Sequence, residues 1–310
     1  MVVDFIVNWI AFTPVFATPL LLASIGLIIN ERAGVLNLGA EGIMLCGAFA
    51  SVMVFIESGN SLVLGVFGAI AAGILISALF AFMVVILRLN QVVSGIAIVF
   101  FGSGLTGLIG NPWTEKAVTG FSNLDMGLLS DIPVIGKIIF SQDLIVYLTI
   151  PIILAVWWFL HRSVPGMNLR AVGENPQAAD AAGLSVDRYR FLAVLAGGAL
   201  MGLAGGYLAL AASKIWVEDM THGRGWIAIA LVIFARWMPG RALLGALLFG
   251  GIEALIPRVQ AVGLPMPQYY LLMLPYLATL AVLIYVGIVS KRDSGAPGAL
   301  GLPYTREDRR

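Results

Sequence analysis

Apolar residues run through this chain in long unbroken stretches, and the few polar clusters mark where those stretches end. A helix needs about 20 apolar residues to cross a hydrocarbon core. Seven runs approach that length: Phe5–Ile29, Val35–Ile56, Leu62–Leu87, Val92–Ile109, Leu144–Leu160, Phe191–Ala212 and Tyr269–Val289. Two further runs, Gly223–Ala235 and Ala242–Ile256, are too short to cross comfortably as straight helices. They flank the turn Arg236-Trp237-Met238-Pro239-Gly240-Arg241 and predict a pair of short or broken membrane helices. The expected fold is an all-α integral membrane protein, a polytopic bundle of about nine (eight to ten) transmembrane helices. Phe5–Ile29 is too long for the apolar core of a signal peptide and has no basic segment before it, so it reads as a retained first span.

Composition agrees with this pattern. Hydrophobic residues make up 60% of the 310 and charged residues 11%, against about 25% charged in an ordinary soluble domain. So little charge cannot cover a water-facing surface, and the bilayer is the expected solvent. A net charge of +1 without a dense basic patch excludes nucleic acid as a partner. Cys46, the one cysteine, lies inside an apolar run, which leaves neither a disulfide nor a thiolate metal site. His161 and His222 stand far apart without carboxylate company, and no metal or nucleophile–base constellation is visible. The chain therefore reads as no enzyme. No phosphate-binding loop occurs, so any ATP would have to be hydrolysed by another chain.

Orientation follows from Lys and Arg, which favour the cytoplasmic side. With residues 161–190 placed inside, all of the 18 Lys and Arg except Lys116, Lys137, Lys214, Arg224 and Arg258 fall on that side. This puts the C-terminus in the cytoplasm and, for nine spans, the N-terminus outside. Residues 1–290 form one transmembrane domain with an external loop at 111–143 and a cytoplasmic loop at 161–190. The Gly-, Pro- and charge-rich residues 291–310 are expected to be a disordered cytoplasmic tail. Many of the 36 glycines lie within the apolar runs, where small residues let membrane helices approach closely. The stretches Ala40–Leu87 and Gly223–Ile256 share this character in opposite senses, which points to an inverted repeat.

The cytoplasmic loop spells a short capped helix. Asn175 suits an N-cap, Pro176 the first helical position and Gly183 a left-handed end. Ala178, Ala179 and Ala182 leave it with little bulk, the shape of a segment that docks into a partner's groove. Buried carboxylates are costly in a membrane and usually face a cavity or a partner, which singles out Glu41 and Glu253. Glu31 and Arg32 read as a local pair at the membrane edge.

The segment Leu169-Arg170-Ala171-Val172-Gly173 through Ala182-Gly183 resembles the ATPase-coupling stretch of bacterial ABC-importer permeases in the ribose, branched-chain amino acid and purine nucleoside branch. Glu31-Arg32-Ala33-Gly34-Val35-Leu36-Asn37-Leu38-Gly39-Ala40-Glu41-Gly42 resembles the nucleoside-type members. The resemblance implies a permease subunit in the bacterial cytoplasmic membrane. Arg170, Gly173, Asn175, Pro176, Ala178, Ala179, Ala182 and Gly183 would then couple to an ABC ATPase subunit. Asn37, Glu41 and Glu253 would belong to the translocation pathway or its gate. It further implies a second permease subunit, homologous or identical, and an external solute-binding protein. Residues 111–143 and 217–223 would help dock that receptor. No cofactor would bind this chain, because ATP and Mg would sit on the partner. The substrate would be a nucleoside or a related sugar-like solute; permeases for simple sugars or branched-chain amino acids, and a self-contained secondary transporter or channel, are the alternatives.

Overall fold

The computed structural model describes residues 2–114, 116–130, 132–261, 268–289 and 295–306. Eleven α-helices appear among them: α1 (Val2–Arg32), α2 (Ala40–Glu57), α3 (Leu62–Ala81), α4 (Gln91–Gly110), α5 (Leu144–Arg162), α6 (Val164–Glu174), α7 (Pro176–Ala181), α8 (Val186–Tyr207), α9 (Arg224–Ala235), α10 (Pro239–Ala261) and α11 (Gln268–Val289). Looser π-helical turns extend α3 over Phe82–Ile86 and α8 over Leu208–Ser213. No strand occurs among the described residues.

Every predicted apolar run holds a helix, but several have different ends, and two of the differences matter most. α2 begins at Ala40 rather than Val35, because residues 33–39 turn back into the bundle without forming helix. α10 extends over 23 residues, so the stretch expected to be too short is long enough to cross. Seven helices qualify as membrane spans by length and composition among the described residues: α1 to α5, α8 and α10. α9, with 12 residues, does not. The expected nine is thus reached only by adding α9 and α11 to those seven.

Polar residues between the runs serve as caps. Asn90 Oδ1 accepts from Val92 and Val93, and Asp143 Oδ1 from Ile145 and Val146. Ser163 and Asn175 cap α6 and α7 in the same way. Glycine sets the packing inside. α2, α3 and α8 meet along Gly47, Gly73, Gly198, Gly202 and Gly205, where a β-carbon would run into the backbone or side chain of the facing helix.

α1–α4 and α8–α11 repeat one arrangement. α8 packs on α3 as α1 packs on α10. α2 touches α3, α4 and α8, and α9 touches the counterparts α10, α11 and α1. In each half a long helix is followed by a non-helical re-entry, a shorter helix and a hairpin. α1 ends beside Trp237 and the end of α6, and α8 begins at the same end of the bundle, so the halves run in opposite senses.

That end collects residues 30–36, Asn90 and Gln91, α6 and α7, the turn 236–239 and residues 295–306. The opposite end holds the described residues of 111–143 (111–114, 116–130 and 132–143) and residues 213–218, tied by bonds such as Val118 N–H to Lys214 O. The expectation of a disordered tail fails over 295–306, which lies against the bundle through a set of hydrogen bonds. Residues 291–294 and 307–310 lie outside the described residues.

Candidate functional site

Two features brought together by the fold correspond to the sequence-predicted residues. The first is a junction between α2 and the short helix α9. α9 has Gly223 at its N-cap, in the left-handed region at φ +80°, and no side chain of its own to satisfy the first N–H groups. Glu41, in the first turn of α2, satisfies them from across the repeat: Gly223 N–H donates to Oε1 at 2.7 Å and Gly225 N–H to Oε2 at 2.6 Å. Both bonds are charge-assisted, and the carboxylate sits at the positive end of α9. Gly225 is required here, since a β-carbon would strike the backbone of Glu41. Asn37 is fully buried and uses Oδ1 to accept from Gly39 N–H at 2.9 Å, which shapes the turn into α2.

Glu253 lies beside this junction, 6% exposed, in a salt bridge with Arg224 at 2.9 Å. Arg224 also donates to the carbonyls of Met220 and Thr221. Neither Glu41 nor Glu253 is therefore an unengaged carboxylate. Residues 217–223, expected as part of an external docking loop, leave Val217, Glu218, Asp219 and His222 exposed, while Met220 and Thr221 are buried. Asp219 accepts from Ser103 and the segment ends on Glu41. Asp131 of the other expected docking loop lies outside the described residues.

The second feature is the α6–α7 face. Asn175 caps α7 through Ala178 N–H, and Gly183, at φ +86°, ends it. Gly183 N–H donates to Asp180 O and Leu184 N–H to Ala179 O, the paired bonds of a left-handed helix end. Gln177, Ala178, Ala181, Ala182 and Gly183 face outward. Pro176 and Ala179 do not. Ala179 packs on Val172, Val186 and Tyr304, so it holds α7 to its own protein and cannot be an outward docking contact. The loop holds a second helix, α6, that the single capped helix of the sequence reading lacks. Gly173 at its end abuts the backbone of Arg32, leaving no room for a side chain. Arg170 is half-buried beside Arg32 and Glu174.

Glu31 and Arg32 are not a local pair. Trp237 Nε1 donates to Glu31 at 2.6 Å, and Arg32 donates to the Trp237 carbonyl. They grip a turn in which Arg236 and Trp237 both have positive φ, an uncommon strain for residues with side chains. Sequence reasoning missed this contact, and also the buried Gln91 and Arg190. The only signal for either was a polar residue at the edge of an apolar run.

The described residues thus form an all-helical bundle with seven helices long and apolar enough to cross a membrane and a small helix presented at one end. Residues 9–283 match the family described as branched-chain amino acid transport system / permease component, and the chain belongs to that family. A permease of Haloferax volcanii provisionally assigned to glucose, TsgC13, is 42% identical over 94% of this chain and 95% of its own. The guanosine ABC transporter permease NupQ of Bacillus subtilis is 36% identical over 96% of each. The nucleoside permease NupC of Lactococcus lactis is 36% identical over 94% of this chain and 95% of its own. A solved ABC transporter in an inward-facing conformation, provisionally assigned to the metal-chelate type, shares the fold, with TM-score 0.51, 16% identity and coverage of 90% of this chain and 85% of that one. The chain is the permease component of an ABC transporter.

Proposed function

We propose that this chain is the membrane-spanning subunit of an importer for nucleosides. A separate solute-binding protein delivers the substrate outside, and a separate subunit hydrolyses ATP. The permease works as a pair, either of two copies or of this chain with a homologue. The observation that carries the coupling half of this reading is the outward face Gln177, Ala178, Ala181, Ala182 and Gly183 on a firmly capped helix. Small side chains and a fixed backbone suit a knob that seats in an ATPase groove. Nucleosides are favoured by two relatives named for them at 36% identity across nearly the whole chain. A second reading, a hexose, is favoured by the relative assigned to glucose at 42%. A self-contained secondary transporter is disfavoured, because Glu41 and Glu253 are taken up by Gly223, Gly225 and Arg224 and are not available for ion coupling.

The test is uptake of labelled guanosine into vesicles that hold the permease with its ATPase and binding protein. ATP-dependent uptake that unlabelled inosine blocks and glucose does not is the expected result. No guanosine uptake together with ATP-dependent uptake of labelled glucose would establish the hexose reading, and uptake driven by an ion gradient without the ATPase would overturn both.

In this reading α7 and residues 295–306 face the cytoplasm, as the Lys/Arg distribution requires. In a Cys46→Ala background, a cysteine at Gln177 should escape a membrane-impermeant thiol reagent in intact cells and react after permeabilisation. Ready labelling in intact cells would reverse the orientation.

A further inference from the structure

Residues 295–306 hold α7 from beneath and also reach the segment that leads to Glu41. Tyr304, 8% exposed, sits in a small core with Val172 of α6, Ala179 of α7 and Val186 of α8. Arg306 pairs with Asp180 of α7 at 3.1 Å. Two residues before Tyr304, the Leu302 carbonyl accepts from Arg190 Nη1 at 3.0 Å and from Gln91 Nε2 at 3.5 Å. The other end of the same amide matters most: Gln91 Oε1 accepts from Leu36 N–H at 2.7 Å. Gly301 N–H donates to Gly34 O, and Ala299 N–H to Gly173 O. From Leu36 the chain passes through Asn37 and Gly39 to Glu41 and the junction with α9.

We propose that residues 295–306 are a transmission strap, a positioning element that carries displacement of α7 to the 33–39 re-entry and so to the Glu41 junction. The proposal rests on α7 as the ATPase dock. α7 has only six residues, and its inner face touches little besides this strap and the adjoining ends of α6 and α8. A push on α7 therefore bears on Tyr304. The strap is tied internally by Leu300 N–H to Pro297 O and Leu302 N–H to Ala299 O and is held at Arg190, Gln91, Gly34 and Gly173, so it moves as one piece with those anchors. Gln91 is the step where this motion enters the re-entry, since one side chain binds both the strap and Leu36.

Contact continuity alone does not establish coupling, so the test reads a change at the far end. The full complex of permease and ATPase subunits in nanodiscs is compared without nucleotide and with ATP trapped by vanadate, by hydrogen exchange over residues 33–41. Wild type should change exchange there between the two states. Gln91→Leu and Tyr304→Ala should keep the ATPase bound and hydrolysing at its basal rate, yet lose that response. Their uptake per ATP should fall about tenfold or more, the scale of an ordinary coupling free energy. Tyr304→Phe, which keeps the buried ring, should behave as wild type. An unchanged 33–41 response in both variants, or loss of the ATPase from them, overturns the strap. Ala182→Trp, on the outward face of α7, is measured in parallel and should strip the ATPase from the permease. If it retains a full complement, the dock assignment fails and the proposal with it, a result distinct from an intact dock with an unresponsive strap.

Discussion

Valine at Gly202 should abolish recovery of folded permease, whereas valine at Gly104 should be tolerated. Gly202 lies where three backbones converge. A β-carbon there meets Ala69 O and the backbone of Gly73 on α3, and Gly47 of α2 approaches Gly202 from another side. The obstructing atoms are main chain, so no side-chain rotation relieves the clash and whole helices must separate. Overpacking usually costs about 1–3 kcal/mol and sometimes more, and valine would do so against two neighbours at once. Set against a total stability of about 5–15 kcal/mol, such a loss is disabling. Gly104 is also inside a helix, but nothing lies within 4 Å of a β-carbon placed on it. The measurement is the monodisperse fraction in detergent by size exclusion, with the thermal midpoint of whatever is recovered. Equal recovery and midpoint for the two variants would show that α2, α3 and α8 are not in glycine contact.

The helices themselves were legible because lipid demands long apolar runs, and each run left its mark. What the runs could not show was where helix stops while hydrophobicity continues. Val35, Leu36 and Leu38 are as apolar as a helix start, yet Asn37 bonds Gly39 N–H and holds a turn, so α2 begins at Ala40. α10 was underestimated for the opposite reason. Its helix takes in Pro239 at the start and Arg258 near the end, residues that a hydrophobic window excludes. Ala179 shows a third limit: in a run of alanines the caps reveal the helix, but not which alanine faces the protein. Residues 295–306 were expected to be a free tail because Gly, Pro and charge suggest one. Their order comes from partners at Gly34, Gly173 and Arg190, more than a hundred residues away in sequence. Glu41 stood out in the sequence as a carboxylate beside an apolar run. Its partners were not legible, since they are backbone N–H groups of two glycines in the other repeat.

Removing that carboxylate should stop transport without detaching the ATPase. In Glu41→Ala the N–H groups of Gly223 and Gly225 lose their acceptors, and Gly225 is buried against α2 where a replacement side chain cannot enter. Each orphaned buried donor costs about 1–3 kcal/mol, and the positive end of α9 loses its counter-charge, worth up to about 2 kcal/mol where partly buried. α9 would then fray from its first turn and the two repeats would lose their bond inside the bundle. Glu41→Gln should fall between alanine and wild type. Its carbonyl oxygen can accept one N–H, but its amide nitrogen presents a donor to the other. Glu41→Asp should also be impaired, because a side chain shorter by one methylene cannot span both donors from the same backbone position. The outward face of α7, proposed as the ATPase dock, belongs to a helix that packs on α6 and α8 rather than on α2 or α9, so retention of the ATPase should be normal in all three. The readouts are nucleoside uptake, co-purification of the ATPase and hydrogen exchange at residues 223–227. Uptake should fall in the order wild type, glutamine, alanine, with exchange rising in the same order. Wild-type uptake together with unchanged exchange in Glu41→Ala would mean that α2 and α9 are held by packing alone and that the carboxylate plays no part in joining them.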